Sequence, residues 1–271
     1  MGSDDTVSEE NMTGMTTRVT IAMLLAGLES AATVYAGTGS VSLAPAVVML
    51  RGAAGQSTRQ TLAFTNSTSS PFSFEMMARD VIVQDGKRQF VEAGSQPGSF
   101  AATAVFSRKL LTVPAGESVN IDVTITIPER PSVRAIIVIC RGTTKTGSGP
   151  LTTTASVGTL MTFSIVGDVI AAEASPLIVK PPTASANFLA SQQLSNNGTA
   201  PVVATGMLAI LDAAGALAGK QAIPQWRMLP GEKTDVRVEY GGDLRPGTYR
   251  ALITYDLKDK TLTSSTELIV R

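Results

Sequence analysis

The stretch SVNIDVTITIP, Ser118 to Pro128, leaves the chain little choice of fold. Val119, Ile121, Val123, Ile125 and Ile127 alternate with Asn120, Asp122, Thr124 and Thr126, so an extended strand puts every apolar residue on one face. A helix would scatter them around its circumference. The strand is entered through TVPAGE, Thr112 to Glu117. Further along, RMLPGEKTDVRVEY, Arg227 to Tyr240, repeats the arrangement of an apolar residue, a Pro/Gly turn, a Glu and an alternating strand. A sandwich needs such a corner where the chain leaves one sheet and begins a long strand of the other. Pro fixes φ, Gly allows the tight turn, the preceding apolar residue anchors the corner in the core, and the Glu is expected to face water. The recurrence points to one corner in each of two domains, for which 271 residues is ample. Read as paired carboxylates for acid–base work, Glu117 and Glu232 fail, because they fall in different domains at a repeated structural position.

The chain keeps a period of two from Val41 onward. STRQTLAFTN puts Leu62 and Phe64 together, SPFSFEMMARD puts Phe72, Phe74 and Met76 together, and Asp85-Gly86 supplies the positive φ angles of a type I′ hairpin. VRAIIVICRG, Val133 to Gly142, is apolar and short, and is expected as a central strand covered on both faces. TTKTGSGP reads as a flexible loop ahead of TASVGTLMTFSIVGD. From Leu177 the runs LIVK, ANFLASQQLSN, VATGMLAILD, QWRML, KTDVRVEY, GTYRALITYDL and SSTELIVR are separated by the turn signals NNGTAP, DAAGALAG, LPGEK, DLRPG and KDK. These two sets of short strands predict antiparallel sandwiches over residues 37–172 and 173–271, with a semi-rigid hinge at Pro181-Pro182.

Composition closes off most chemistry. The 22 basic and 22 acidic residues balance, so no basic nucleic-acid surface is indicated. There is no histidine, which removes the Ser-His-Asp arrangement, the His-activated cysteine and ordinary catalytic zinc sites. The lone Cys140 lies in an apolar run and reads as a small core residue, and a single cysteine forms no intramolecular disulfide. Scattered Asp and Glu do not form a calcium loop. The chain is therefore read as non-enzymatic, with no cofactor and no metal. Trp226 reads as a core or interdomain aromatic, and Tyr240, Tyr249 and Tyr255 as strand residues, one of them a corner tyrosine. Asn197-Gly198-Thr199 fits a glycosylation acceptor but reads more simply as a turn.

The N-terminus speaks about compartment. Thr16, Thr17 and Arg18 precede VTIAMLLAGL, Val19 to Leu28, and Val34 and Ala36 fit the small-x-small pattern of a signal-peptidase site. Residues 1–36 are expected to be a leader cleaved after Ala36, with Met12 or Met15 as alternative starts. Nothing downstream reaches the roughly 18 apolar residues of a membrane span, and no lipid-accepting cysteine follows Ala36. A periplasmic location is expected, with secretion or the cell surface as the alternative.

The order SVSLAP, TRQTLAFTNSTSSPFSFEM, LTVPAGESVNIDVTITIP, VRAIIVICRG, SVGTLMTFSIVGD resembles the first domain of bacterial two-domain immunoglobulin-like exported proteins, which include the periplasmic pilus chaperones. The resemblance covers most of residues 41–168. The second half, through LSNNGTAPVVATGMLAILDAAGALAG and an L-x-P-G-x-Y motif at Leu244, Pro246, Gly247 and Tyr249, resembles the Ig-like domains of WxL-type surface proteins. The resemblance implies an all-β chain of two immunoglobulin-like antiparallel β-sandwich domains in tandem. A pilus chaperone is expected to hold a subunit's C-terminal carboxylate with two basic residues in the interdomain cleft, one on the first strand and one on the last strand of domain one. It then lends that last strand's alternating apolar residues to the incomplete subunit. The row to lend is Val157, Met161, Phe163 and Ile165. ASVGTLMTFSIVGD contains no Lys or Arg, which leaves Arg51, late on the first strand, as the carboxylate anchor. The same row serves equally to fill the core, since an inward face and a lending face look alike on one strand. The function implied is chaperone-like assistance to assembly of a surface pilus by β-strand complementation, with a pilin-like subunit as partner. The alternative is an envelope structural or adhesive module that binds a surface protein, peptidoglycan or polysaccharide.

Overall fold

A computed structural model of the chain describes residues 32–36, 39–145 and 152–271. The first sandwich packs two sheets face to face. One runs in the order β1 (Ala32–Ala36), β2 (Gly39–Ala44), β4 (Ser57–Asn66), β9 (Ser118–Thr126), β7 (Val105–Phe106). The other runs β3 (Val47–Gly52), β11 (Thr152–Ile165), β10 (Ala135–Lys145), β5 (Phe72–Gln84), β6 (Lys87–Glu92), with β8 (Leu110–Val113) also on β5. Pairing is antiparallel except between β3 and β11, which run parallel. The alternation of Ser118–Pro128 works as expected: Ile121, Val123 and Ile125 are buried in the core, while the solvent face of β4 and β9 carries Arg59 on Asp122, Ser57 on Thr126 and Thr65 on Ser118. Phe64, Phe72 and Phe74 form one aromatic cluster, with ring centroids 4.2 and 4.9 Å apart. Asp85 and Gly86 turn the β5–β6 hairpin with φ of 52° and 77°.

The second sandwich has β12 (Ala172–Ala174) and β13 (Ile178–Lys180) along one edge of β14 (Phe188–Asn196) and β17 (Lys233–Tyr240) along the other. Its second sheet runs β16 (Leu217–Met228), β15 (Val202–Asp212), β18 (Gly247–Asp256), β19 (Thr261–Val270). Tyr249 is the corner tyrosine: its hydroxyl donates to the Arg245 carbonyl at 2.8 Å. Tyr255 is fully buried, donates to Gln192 Oε1 at 3.0 Å and meets Trp226 edge-on at 5.7 Å.

Several expectations are corrected. The run from Val41 is two strands, because the chain changes sheets at Pro45: β2 joins β4, and β3 joins β11. TTKTGSGP begins as strand, with Thr143 paired to Thr154, while 146–151 lie outside the described residues. QWRM of QWRML is the end of β16, reached past an irregularity opposite Ala204–Gly206, and Leu229 already belongs to the corner. β12 and β13 already belong to the second sandwich, so the chain crosses over residues 166–171 and Pro181-Pro182 is no hinge. The apolar leader run, Val19 to Leu28, lies outside the described residues, whereas Ala32–Ala36 pairs with β2.

The two corners share a hydrogen-bond frame deeper than their sequence echo. The buried Asn66 donates its amide to the carbonyls of Ser70, Val113 and Pro114, each at 3.0 Å, while its own carbonyl accepts from Gly116 N. The buried Asn196 donates to Ala200 and Met228, and its carbonyl accepts from Gly231 N. Gly116 and Gly231 sit at φ 75° and 79°, as the third position of a type II turn requires. This register equates Val113 with Met228, Pro114 with Leu229 and Glu117 with Glu232. Val113 and Met228 anchor their own cores, but Leu229 does not. It packs against Val81, Ala135, Ile137 and Leu160 on the outer face of the first sandwich. This second cover is why β10 is apolar on both faces. Glu117 faces water as expected; Glu232 is turned into the interdomain contact, where Arg88 holds it.

Candidate functional site

The strand singled out by sequence, β11, has two unlike halves. β10 pairs with it from Thr152 to Thr162, but β3 covers its other edge only from Leu160 to Ile165. Among the described residues, Thr152–Thr159 has no ladder partner on that second edge; β1 and β2 of the other sheet pass beside β11 without entering its ladder. Leu160 N donates to Ala46 on the β3 side at 2.9 Å, and Phe163 N donates to Arg134 on the β10 side at 2.9 Å. By strand alternation the N–H groups of Thr154, Ser156 and Gly158 therefore point out of the open edge.

The side chains of the row point inward. Val157, Met161 and Phe163 are 3%, 0% and 0% exposed, Ile165 packs half-buried against the same core, and the Phe163 ring stacks on Phe100 at 4.2 Å. Met161, Phe163 and Ile165 belong to the half covered by β3. Val157, with the buried Ala155 two residues before it, belongs to the open half.

Arg51 stands near the end of β3, opposite Ser164, with its side chain in solvent. It lines a cleft of about 320 Å³ between the sandwiches. Met49, Ile165 and Val166 share its wall, and Pro201, Leu257 and Lys258 form the opposite one. Lys258 occupies the tight turn between β18 and β19 at φ 75°, held by its N–H on Asp256 Oδ1 at 2.8 Å. Among the described residues neither Arg51 nor Lys258 has an ion-pair partner. Asp168, also at the cleft, is engaged: Arg134 Nη2 donates to it at 2.8 Å, and it accepts Ile165 N at 2.8 Å. Arg51 thus faces a largely apolar cleft with a second cation opposite, from the second domain and not from β11, and with the carboxylate of Asp259 beside that cation in the lining. Sequence reasoning read KDK only as a turn; no local signal placed that turn across from β3.

Cys140, paired with Val157, is fully buried, and burial pushes its thiol up to about 12, far from thiolate chemistry at neutral pH. Among the described residues no three His, Cys, Asp or Glu side chains come together as a metal site, and no helix is long and apolar enough to cross a membrane.

No family model and no curated protein matches the chain. Solved structures align over most of its length. The class 5 fimbriae chaperone CfaA is 15% identical, with 83% of this chain and 98% of that one covered at a TM-score of 0.47. The CsuC–CsuE chaperone–tip adhesion subunit complex of Acinetobacter baumannii is matched at 9% identity, 82% and 96% coverage and a TM-score of 0.42. The Salmonella enterica SafA pilin in complex with the SafB chaperone is matched at 14% identity, 86% and 99% coverage and a TM-score of 0.40.

Proposed function

We propose that this protein is a periplasmic, non-enzymatic chaperone that assists assembly of a surface pilus by lending β11 to an incomplete pilin-like subunit, its leader being removed after Ala36. The observation that carries this reading is the half-covered strand. Unpaired strand edges invite pairing with another chain and are usually blunted by charge, Pro or a covering element. Thr154, Ser156 and Gly158 instead offer small uncharged residues and outward N–H groups beside an intact β10 ladder. A subunit strand added there gains main-chain hydrogen bonds, with Ala155 and Val157 as the apolar residues at the open end. Met161, Phe163 and Ile165 keep the rest of β11 fixed in the core. The subunit's terminal carboxylate lies between Arg51 and Lys258 in the cleft, where a guanidinium and an ammonium give charge-assisted hydrogen bonds that must outweigh the Asp259 carboxylate in the same lining, Asp168 being taken up by Arg134.

The test is filament assembly in a strain lacking the gene, complemented by the parent chain or by Ser156→Pro. The substitution deletes one outward N–H and leaves the β10 ladder intact. The parent chain restores filaments and Ser156→Pro does not. Filaments unchanged by the deletion contradict the reading.

A further inference from the structure

We infer that the corner Leu229–Lys233 is a latch that sets the angle between the two sandwiches, and with it the separation of Arg51 and Lys258 across the cleft; the second clause rests on the function proposed above. Three kinds of contact converge on the corner. Leu229, 2% exposed, is the apolar plug seated on Val81, Ala135, Ile137 and Leu160. Arg88 of β6 donates through Nε and Nη2 to Glu232 Oε2 at 3.0 and 2.9 Å, and through Nη2 to the Arg227 carbonyl at 2.6 Å. The same Oε2 accepts Leu229 N at 2.7 Å, and Lys233 N donates to the Gly86 carbonyl of the β5–β6 turn at 3.0 Å.

Position gives these contacts leverage. The covalent crossing at 166–171 leaves from β11, whereas the polar contacts of the latch grip β6 and the β5–β6 turn, beyond β10 and β5 in the sheet order, and only the Leu229 plug reaches back across β10 to Leu160 of β11. At about 4.8 Å per strand, β11 and β6 lie roughly 14 Å apart. A hinge at one point and a strut at the other fix an angle that neither fixes alone. The Arg88 and Glu232 side chains are 14% and 13% exposed, so neutralising one leaves the other charge largely desolvated and unpaired. The first corner has the same frame without this role: Glu117 is exposed, and nothing lies within 4 Å of where a Cβ on Gly116 would be.

The experiment places spin labels on Asn120→Cys and Ala214→Cys, exposed positions on the two sandwiches, and leaves the buried Cys140 unlabelled. The distance distribution between labels is compared among the parent, Glu232→Gln, Arg88→Lys and Glu117→Gln. Arg88→Lys keeps the charge but loses the two-nitrogen grip on one carboxylate oxygen. Broader distributions in Glu232→Gln and Arg88→Lys, with Glu117→Gln matching the parent, support the latch. A parental distribution in both interdomain variants overturns it. Filament assembly in the same strains separates the two claims. Full assembly despite a broadened distribution overturns the cleft clause, and a parent chain that assembles nothing overturns the proposed function and that clause together, while the distances still decide the latch.

Discussion

The two halves of β11 follow one alternating pattern but have different neighbours. From Leu160 to Ile165 the strand has β3 along one edge, with β10 along the other as far as Thr162, the aromatic core on one face, and at Leu160 the Leu229 plug on the other. From Thr152 to Thr159 it keeps β10 but has no described partner on the second edge. The difference arises at Pro45, where the first strand leaves one sheet and reaches β11 only at Leu160. Anchoring and availability are thereby separated along one strand. The covered half holds β11 in place, and the open half is what it offers.

Four tests bear on that division and on the site beside it. The largest effect is expected from Phe163→Ala, which removes a fully buried ring stacked on Phe100 and costs about 4 kcal/mol in urea unfolding. Val157→Ala, in the open half, costs under about 2 kcal/mol. Equal costs would show that the open half is anchored as firmly as the covered one. Proline insertion comes next. Thr162→Pro removes an N–H directed at β3 and is expected to cost about 3 kcal/mol, against about 1 kcal/mol or less for Ser156→Pro, whose N–H enters no ladder with a described strand. Matching thermal shifts for the two would contradict the open edge.

A smaller effect is expected from pH. Cys140 lies on β10 opposite Val157, and burial raises its thiol from 9.0 to about 12. Above pH 9 the unfolded chain loses this proton while the folded chain keeps it, so stability falls as pH rises from 9 toward 12, by about 1.4 kcal/mol per unit. Cys140→Ala should remove that share of the slope, leaving above pH 10 the share of Tyr255, whose hydroxyl is also raised by burial from 10.0 to about 12, and an unchanged slope would place the thiol in water. The smallest effect on stability, within about 0.5 kcal/mol, is expected from Arg51→Glu, because the side chain is exposed and unpaired among the described residues. The same substitution should abolish filament assembly by reversing charge in the cleft. Normal assembly would remove Arg51 from the site.

Much of the fold was legible because it is written in local terms. The period of two identifies β4, β5 and β9, Asp85-Gly86 identifies a hairpin, and the paired corners identify two sandwiches. What lay beyond reach depends on contacts distant in sequence. Glu117 and Glu232 are equivalent by sequence and by turn geometry, and only Arg88, far away on β6, makes one of them interdomain. The alternation of Val157, Met161, Phe163 and Ile165 is legible, but its division at Thr159 depends on where Pro45 sends β3. Lys258 is a turn residue until the second sandwich sets it across from Arg51. One missed feature did have a local signal: TNSTSSP and SNNGTAP each place Asn five residues before Pro, and both asparagines brace a corner.

The most direct test of the divided strand is amide hydrogen exchange along β11 in the isolated protein. Thr154, Ser156 and Gly158 should exchange fast through their unpaired edge, while Leu160, Thr162 and Ser164, directed at β3, should be protected. Uniform protection across these six amides would contradict the account, because the strand would then have no open half to lend.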